Sequence, residues 1–332
     1  MSGDLAVAVG VFFGCALSVV LLASKLAKFG DVLAFHTGWG RLFVGSILIA
    51  VATSLPELSA NISAVRLTPP NPELAVGNVL GANMVNMFIF SVVALIFGGK
   101  GFLQRVAPQQ GYLILLAAIM TGAALLFGAL RLQLSFWNVG IAAVVLWAVY
   151  LAGMRVVYER RPWQGEAGAV EETGITLTRA WVMFALVSAG VVVAGFFLAW
   201  STDRIADITG MASSTLGIVA VSLVTTMPEA SATVAAVRLG AHDLAVSGLF
   251  GSCVFNVTIL GYADGFYRED ILLNQTEPAH FVAGGVAVGL ILLGLVLIMG
   301  RHRIKQGLAN AGLALMALIY VTGAVAVVSL GG

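Results

Sequence analysis

Charge is scarce in this chain of 332 residues. Asp, Glu, Lys and Arg together make up 10% of it, against about a quarter in a soluble domain. With 60% hydrophobic residues and a mean hydropathy of +1.00, it has too little polar surface to clothe a water-soluble body of this size. Cysteine is nearly absent as well. Cys15 and Cys253 both fall in apolar stretches and read as small packing residues, which excludes a disulfide framework and a thiolate metal site. The formal net charge is +1, with no basic patch or aromatic-basic interleaving to suggest a nucleic-acid partner. Neither a nucleotide-binding motif nor a catalytic triad is found, so no enzyme is indicated and no cofactor is implied. No protein partner can be inferred. The first residues lack the basic stretch of a cleaved signal, so the first apolar run is expected to be a retained helix.

What the chain has in quantity is long apolar runs. A helix needs about 20 such residues to cross a bilayer. Runs of that kind lie at 5–29, 41–67, 72–98, 110–128, 134–157, 180–202, 213–239, 243–266, 279–299 and 308–330. The expected fold is therefore an all-α polytopic membrane protein of about ten transmembrane helices, surrounded by lipid bilayer. One sizeable polar loop, 158–178, carries Glu159, Arg160, Arg161, Glu166, Glu171 and Glu172. It divides the chain into 1–157 and 179–332, each with five helices.

The two halves are copies. Pro56-Glu57-Leu58-Ser59-Ala60-Asn61-Ile62-Ser63-Ala64-Val65-Arg66-Leu67 returns as Pro228-Glu229-Ala230-Ser231-Ala232-Thr233-Val234-Ala235-Ala236-Val237-Arg238-Leu239, with eight of twelve positions identical at an offset of 172. Further on, Leu74-Ala75-Val76 returns as Leu244-Ala245-Val246, Gly81 as Gly251 and Asn86 as Asn256, at an offset of 170. Five helices is an odd number, so the second repeat must enter the membrane from the opposite side to the first. The basic residues give an independent reading. With the N-terminus outside, 13 Lys and Arg fall in inside loops and 4 (Arg66, Arg131, Arg204 and Arg268) in outside ones, the asymmetry of the positive-inside rule. Both termini are then outside and the linker is cytoplasmic.

Each repeat places a proline beside a carboxylate within an apolar run. Pro56 has no N–H to offer the carbonyl of Ala52 and disfavours helical geometry at the residue before it, so carbonyls near Thr53 are freed to point sideways. In hydrocarbon these need a partner, and a hard cation is one. Glu57 adds charge, and Ser54 adds a hydroxyl one turn back. Val224-Thr225-Thr226-Met227-Pro228-Glu229 repeats the design with Thr226 for the serine. One such motif is explained by a kink and a carboxylate near a helix end; two with matching flanks are not. The oxygen-only donor set suits Ca²⁺ and Na⁺ rather than zinc or copper. Downstream, Gly77 and Gly81, and Gly248 with Gly251 and Ser252, carry the small-residue spacing of close helix packing. Asn86 and Asn256 then bring neutral amide oxygens to membrane depth. Asn61, one turn beyond Glu57, is placed to orient that carboxylate. Asp31, His36, Asp203, Asp207 and Asp264 fall near expected helix ends, where solvated or capping roles are commoner, and Glu73 and Asp243 match helix N-terminal positions.

These paired motifs resemble the α1 and α2 repeats of the cation/calcium antiporter superfamily, the Na⁺/Ca²⁺ exchanger type: Gly-Thr-Ser-x-Pro-Glu followed by Gly-Asn-x-x-Gly-Ser-Asn-x-x-Asn or Asp. The resemblance implies a secondary antiporter working by alternating access on inorganic cations. It also implies that Glu57 and Glu229 bind Ca²⁺ with the carbonyls of Thr53 and Thr225. Ser54, Thr226 and Ser252 would line Na⁺ sites, with Asn86 and Asn256 at the centre. The pattern is not complete here. Ala52 and Val224 stand for the first glycines, Ala82 for a serine, Ser247-Gly248 for Gly-Asn, and Cys253 for an asparagine. Ala82 removes one oxygen from a Na⁺ site. The rival readings are a proton-coupled cation exchanger and, in other classes, an intramembrane di-carboxylate enzyme or a channel.

The charge asymmetry makes a direct prediction. In a variant without Cys15 and Cys253, an Ala167→Cys linker thiol should react with an impermeant reagent only from the cytoplasmic side. Labelling only from outside would refute the orientation.

Overall fold

The computed structural model describes residues 2–66, 69–137, 139–160, 174–209 and 216–331. Helices dominate: α1 Ser2–Thr37, α2 Gly40–Val44, α3 Ala50–Thr53, α4 Leu55–Val65, α5 Pro72–Ile96, α6 Lys100–Gln104, α7 Gln110–Leu130, α8 Ile141–Glu159, α9 Leu177–Thr209, α10 Ser222–Thr225, α11 Met227–Arg238, α12 His242–Phe266, α13 Pro278–Gly300 and α14 Gln306–Gly331. Among the described residues, 8 helices are long and apolar enough to cross a membrane, or up to 9 if the bent pair Gly40–Thr53 and Leu55–Val65 is one span. Outward faces are apolar: Phe13, Leu17, Leu151, Leu186 and Val325 are all exposed. The protein is an integral, multi-pass membrane protein.

Several boundaries differ from the sequence reading. The first helix runs to Thr37 rather than 29, because no proline intervenes, Gly30 stays helical, and Gly38, with a φ of 66°, ends it in left-handed geometry. Asp31 therefore lies within the helix, where it accepts from Arg41 Nε at 2.5 Å and Nη2 at 3.1 Å. The run 134–157 does not begin as helix. Ser135–Phe136 and Val139–Gly140 pair as a two-stranded antiparallel hairpin, a small exception to the all-α expectation, and helix begins at Ile141. Helix also covers Tyr158 and Glu159, and α9 starts at Leu177; the heart of the linker, 161–173, lies outside the described residues, as do the first residues of the seventh run.

At the centre stand α5 and α12, each 25 residues long. The most apolar stretch of α12 is buried throughout. Around them the halves interlock: α1 packs on α9 and on α11, while α9 packs on α4. Both outer helices are much longer than a bilayer needs; α1, with 36 residues, spans about 54 Å at the usual rise and must tilt or project.

Each Pro-Glu segment is built alike. A π-helical turn, Gly45–Ile49 or Leu216–Val221, leads into a short helix, then a break, then the Pro-Glu helix. The break residues match closely, Ser54 with φ −89° and ψ 6° and Thr226 with φ −83° and ψ 3°. The central helices seat on these π turns through glycine. A Cβ at Gly81 would lie 2.8 Å from Ser222 Oγ and 2.9 Å from the carbonyl carbon of Ile218; one at Gly251 would lie 2.5 Å from Ser46 Cα. At offset 172, Ile218 is the equivalent of Ser46, so each central glycine meets the π turn of the other repeat. At Gly77 a Cβ would meet Ile218 Cγ1 at 3.0 Å, whereas at Gly248 it would meet only Ile49 Cγ2 at 3.7 Å, an ordinary contact.

Backbone cannot yield as a side chain can, so Gly251→Ala should cost about 1–3 kcal/mol through overpacking. The check is the thermal midpoint in detergent, with Gly10→Ala, where nothing lies within 4 Å, as the unaffected control. An unchanged midpoint for Gly251→Ala would contradict this packing.

Candidate cation site

The Pro-Glu helices begin at the middle of the interlocked core, and their first turns carry the two carboxylates. Glu57 is 0% and Glu229 3% exposed. They are close enough to repel each other when both are ionised. The hydroxyl of Ser54, from the first repeat, donates to Glu229 Oε1 at 2.9 Å. Ser252 Oγ donates to the same oxygen at 3.3 Å. Glu229 Oε2 and both oxygens of Glu57 have no hydrogen-bond partner among the described residues. The threonines cross over in the same way: Thr53 faces Glu229 and Thr225 faces Glu57.

The two halves are not equally furnished. Thr226 stands where Ser54 does, but its hydroxyl turns back on its own helix and donates to the carbonyl of Ser222 at 2.7 Å. Ala82 stands where Ser252 does and has no hydroxyl. Both positions from which the second carboxylate would receive a donor are thus silent, which accounts for the bare Glu57. Asn61 does not orient that carboxylate either; its Nδ2 donates to the Glu57 main-chain carbonyl at 2.8 Å and its Oδ1 is unpartnered.

Amides line the floor. Asn256 Nδ2 donates to Asn83 Oδ1 at 3.2 Å, and Asn83 Nδ2 donates to Thr121 Oγ1 at 3.1 Å and to the Cys253 carbonyl at 3.2 Å. Asn256 Oδ1 and Asn86 Oδ1 are buried without partners. Thr225 Oγ1 approaches Asn78 Oδ1 at 3.4 Å. Asn78, Asn83 and Thr121 were not singled out in the sequence. The signal for the asparagines was present, since each is a further amide in an apolar helix; a lone Thr121 in a run of Leu and Ala gives none. Glu73 and Asp243 lie away from this centre. The Glu73 carbonyl accepts from His280, and Asp243 Oδ1 accepts from the Ala107 N–H at 2.8 Å and from Gln110. Asp264 is a clasp, its two oxygens accepting from the N–H groups of Gly140 and Leu272.

Five buried side-chain oxygens without protein partners, on Glu57, Glu229, Asn86 and Asn256, form an acceptor-only set. Unsatisfied buried acceptors of this kind are costly. A bound cation would relieve them. A membrane-embedded protein with such a site belongs to the class of ion-binding transporters.

Comparison with known proteins places the chain within that class. It belongs to the sodium/calcium exchanger protein family, which matches residues 7–155 and 179–328, one stretch in each half. It is 26% identical over 252 residues to the inner membrane protein YrbG of Escherichia coli (strain K12), covering 74% of this chain and 75% of that one. It is 24% identical over 317 residues to the sodium/calcium exchanger MaX1 of Methanosarcina acetivorans, covering 84% and 87%. In fold it is similar to the sodium-calcium exchanger NCX_Mj, with a TM-score of 0.70 at 19% identity over 96% of this chain and 98% of that one. The family is one of transporters.

The unequal halves lead to a prediction. A hydrogen bond to a charged group is worth about 1.5–3 kcal/mol. Ala82→Ser should give Glu57 a donor and steepen the Na⁺ dependence of Ca²⁺ flux in proteoliposomes, whereas Ser252→Ala should flatten it. Identical Na⁺ slopes in all three proteins would show that these positions do not face the cargo.

Proposed function

We propose that this protein exchanges Ca²⁺ for Na⁺ across the membrane by alternating access, with Glu57 and Glu229 as the shared charge. The supporting observation is the pair of buried, mutually repelling carboxylates, one from each repeat, surrounded by hydroxyl and amide oxygens and, among the described residues, by no basic side chain within hydrogen-bonding distance. Two such groups cannot both stay ionised in hydrocarbon unless cations offset them. A site loaded with Ca²⁺ or with Na⁺ is neutralised enough to move across the barrier; an unloaded one is not. That rule couples the two fluxes. Thr53 and Thr225 carbonyls, freed by the prolines, complete the Ca²⁺ shell, and Ser54 and Ser252 serve Na⁺. Thr226 would line a Na⁺ site through the lone pairs of its hydroxyl, whose proton is engaged on the Ser222 carbonyl.

The reading extends to topology: ten helices in two inverted repeats, the bent Gly40–Val65 segment and its counterpart ending at Arg238 each being one span. Contacts at the helix ends support it. Arg41 with Asp31, Arg105 with His242, Ala107 with Asp243 and Arg160 with Tyr112 pair at one end, and Arg66 with Phe266 and Gly140 with Asp264 at the other. Arg66 and its repeat equivalent Arg238 thus sit at opposite ends.

The test is ⁴⁵Ca²⁺ uptake into proteoliposomes under an imposed Na⁺ gradient, with a proton gradient in parallel. Na⁺-driven uptake is expected, falling to background in Glu57→Gln and in Glu229→Gln protein that still inserts, because removing one charge leaves a divalent ion under-neutralised. Uptake driven by protons alone would transfer the coupling to H⁺, and full exchange by either variant would refute the shared-charge mechanism.

A further inference from the structure

The two central asparagines are held differently. Asn256 donates through Nδ2 to Asn83 Oδ1 at 3.2 Å, and its own Oδ1 is buried without a partner among the described residues. Asn86, its equivalent at an offset of 170, has no partner on either amide atom among the described residues. Beside Asn86 stands the Cys253 thiol, too weak a donor to choose between the two ends of an amide. At the same offset Cys253 is the equivalent of Asn83. Thr121 corresponds to Ile291, or to Leu293 at the offset of 172, hydrocarbon in either case. The first repeat thus supplies an amide and a hydroxyl where the second has a thiol and an aliphatic chain, and only Asn256 is reached by an orienting chain.

Which partner can donate decides how that chain points. Thr121 Oγ1 gives its one proton to the Ala117 carbonyl at 2.9 Å, so towards Asn83 it can only accept. The Cys253 carbonyl can only accept as well. Both lie at the same end of the Asn83 amide, at 3.1 and 3.2 Å, and that end must therefore be the NH₂ group. The carbonyl end of Asn83 then faces Asn256 and accepts, so Asn256 must present its own NH₂ group there. Its oxygen is the end left over. Ser252, one turn earlier on the same face of α12, donates to Glu229 Oε1 at 3.3 Å, which puts Asn256 on the side of the helix that faces the carboxylates. Turning both amides over would set Asn83 Oδ1 against the Cys253 carbonyl, two acceptors in contact. Asn83, Thr121 and Asn256 are all fully buried, so no water relieves that clash and its cost is the full one. The Cys253 carbonyl is main chain and stays whatever residue is there; the Thr121 hydroxyl is the anchor a substitution can remove.

We propose that Thr121, on α7 and outside both duplicated motifs, is a positioning residue for the cation site: through Asn83 it holds the Asn256 amide so that an oxygen, and not an NH₂ group, faces the cargo. An NH₂ group in that place would repel a cation, whereas an amide oxygen is a neutral ligand for one. Asn86 has no such chain. The role deepens the exchange reading and rests on it for the identity of the cargo, but cation binding in detergent tests it without transport.

The experiment measures thermal midpoints of the full-length protein in detergent against NaCl, with choline chloride holding ionic strength constant, and separately against CaCl₂. It compares the parent with Thr121→Val, Thr121→Ser, Asn256→Ala and the double variant Thr121→Val with Asn256→Ala. Asn256→Ala should raise the half-saturating concentration of at least one cation, which identifies the one that uses the amide oxygen. Thr121→Val should raise the same value about three- to tenfold, the worth of one neutral hydrogen bond, while Thr121→Ser, which keeps the hydroxyl, stays within about twofold of the parent. In the Asn256→Ala background Thr121→Val should add nothing, because the two act through one oxygen. A hydroxyl that merely supports packing would lower the cation-free midpoint in every background and leave half-saturation unchanged. Thr121→Ala takes the place of the valine should that protein fail to fold. Unchanged half-saturation in Thr121→Val overturns the proposal, as does an effect of full size in the Asn256→Ala background, or no effect of Asn256→Ala on either cation. A parent stabilised by neither cation would instead overturn the exchange reading, and the positioning role with it.

Discussion

Everything in this molecule is arranged around two carboxylates that a membrane interior cannot tolerate bare. A buried Glu in an apolar surround is costly when ionised, and two within electrostatic reach are worse. The structure answers with oxygen rather than with basic residues. Had an arginine or lysine been paired with Glu57 or Glu229, the charge would be permanently cancelled and no cation would be needed. Hydroxyls and amides only soften the penalty; under the proposed exchange, the decisive neutralisation falls to an ion that can leave again.

This requirement explains the irregular backbone. An uninterrupted helix uses all its carbonyls internally and has none to offer. Proline at 56 and 228 breaks the ladder, and the π turns at Gly45–Ile49 and Leu216–Val221 widen the helix just before each break. Irregular backbone at membrane depth is sustainable only inside protein, and α5 and α12 supply that enclosure through Gly81 and Gly251, each pressed on the π turn of the opposite repeat. The long outer helices α1 and α9 pack on each other and cover the Pro-Glu helices of the opposite half.

The twofold design is deliberately imperfect in its consequences. Glu229 receives two hydroxyl donors; Glu57 receives none. This difference traces to single substitutions between repeats: serine against alanine at 252 and 82, and serine against threonine at 54 and 226. A site symmetric in charge is thereby asymmetric in the hydrogen-bond donors that reach each carboxylate.

The sequence by itself determined the membrane class, the duplicated Pro-Glu motif and the identity of the two carboxylates, because hydropathy, repetition and the cost of a buried charge are all properties of residues in order. It also located the central asparagines. What it could not determine is which group meets which. That Ser54 serves Glu229 rather than Glu57, that Asn61 binds a main-chain carbonyl, that the Thr226 hydroxyl turns away and that Asn83 joins Asn256 to Thr121 are outcomes of how the two halves interlock. The hairpin at 135–140 and the reach of the first helix to Thr37 were hidden for a similar reason: local apolarity does not say where a chain stops being helical. Contacts between residues about 170 positions apart are fixed by packing, and packing exists only once the two repeats have met.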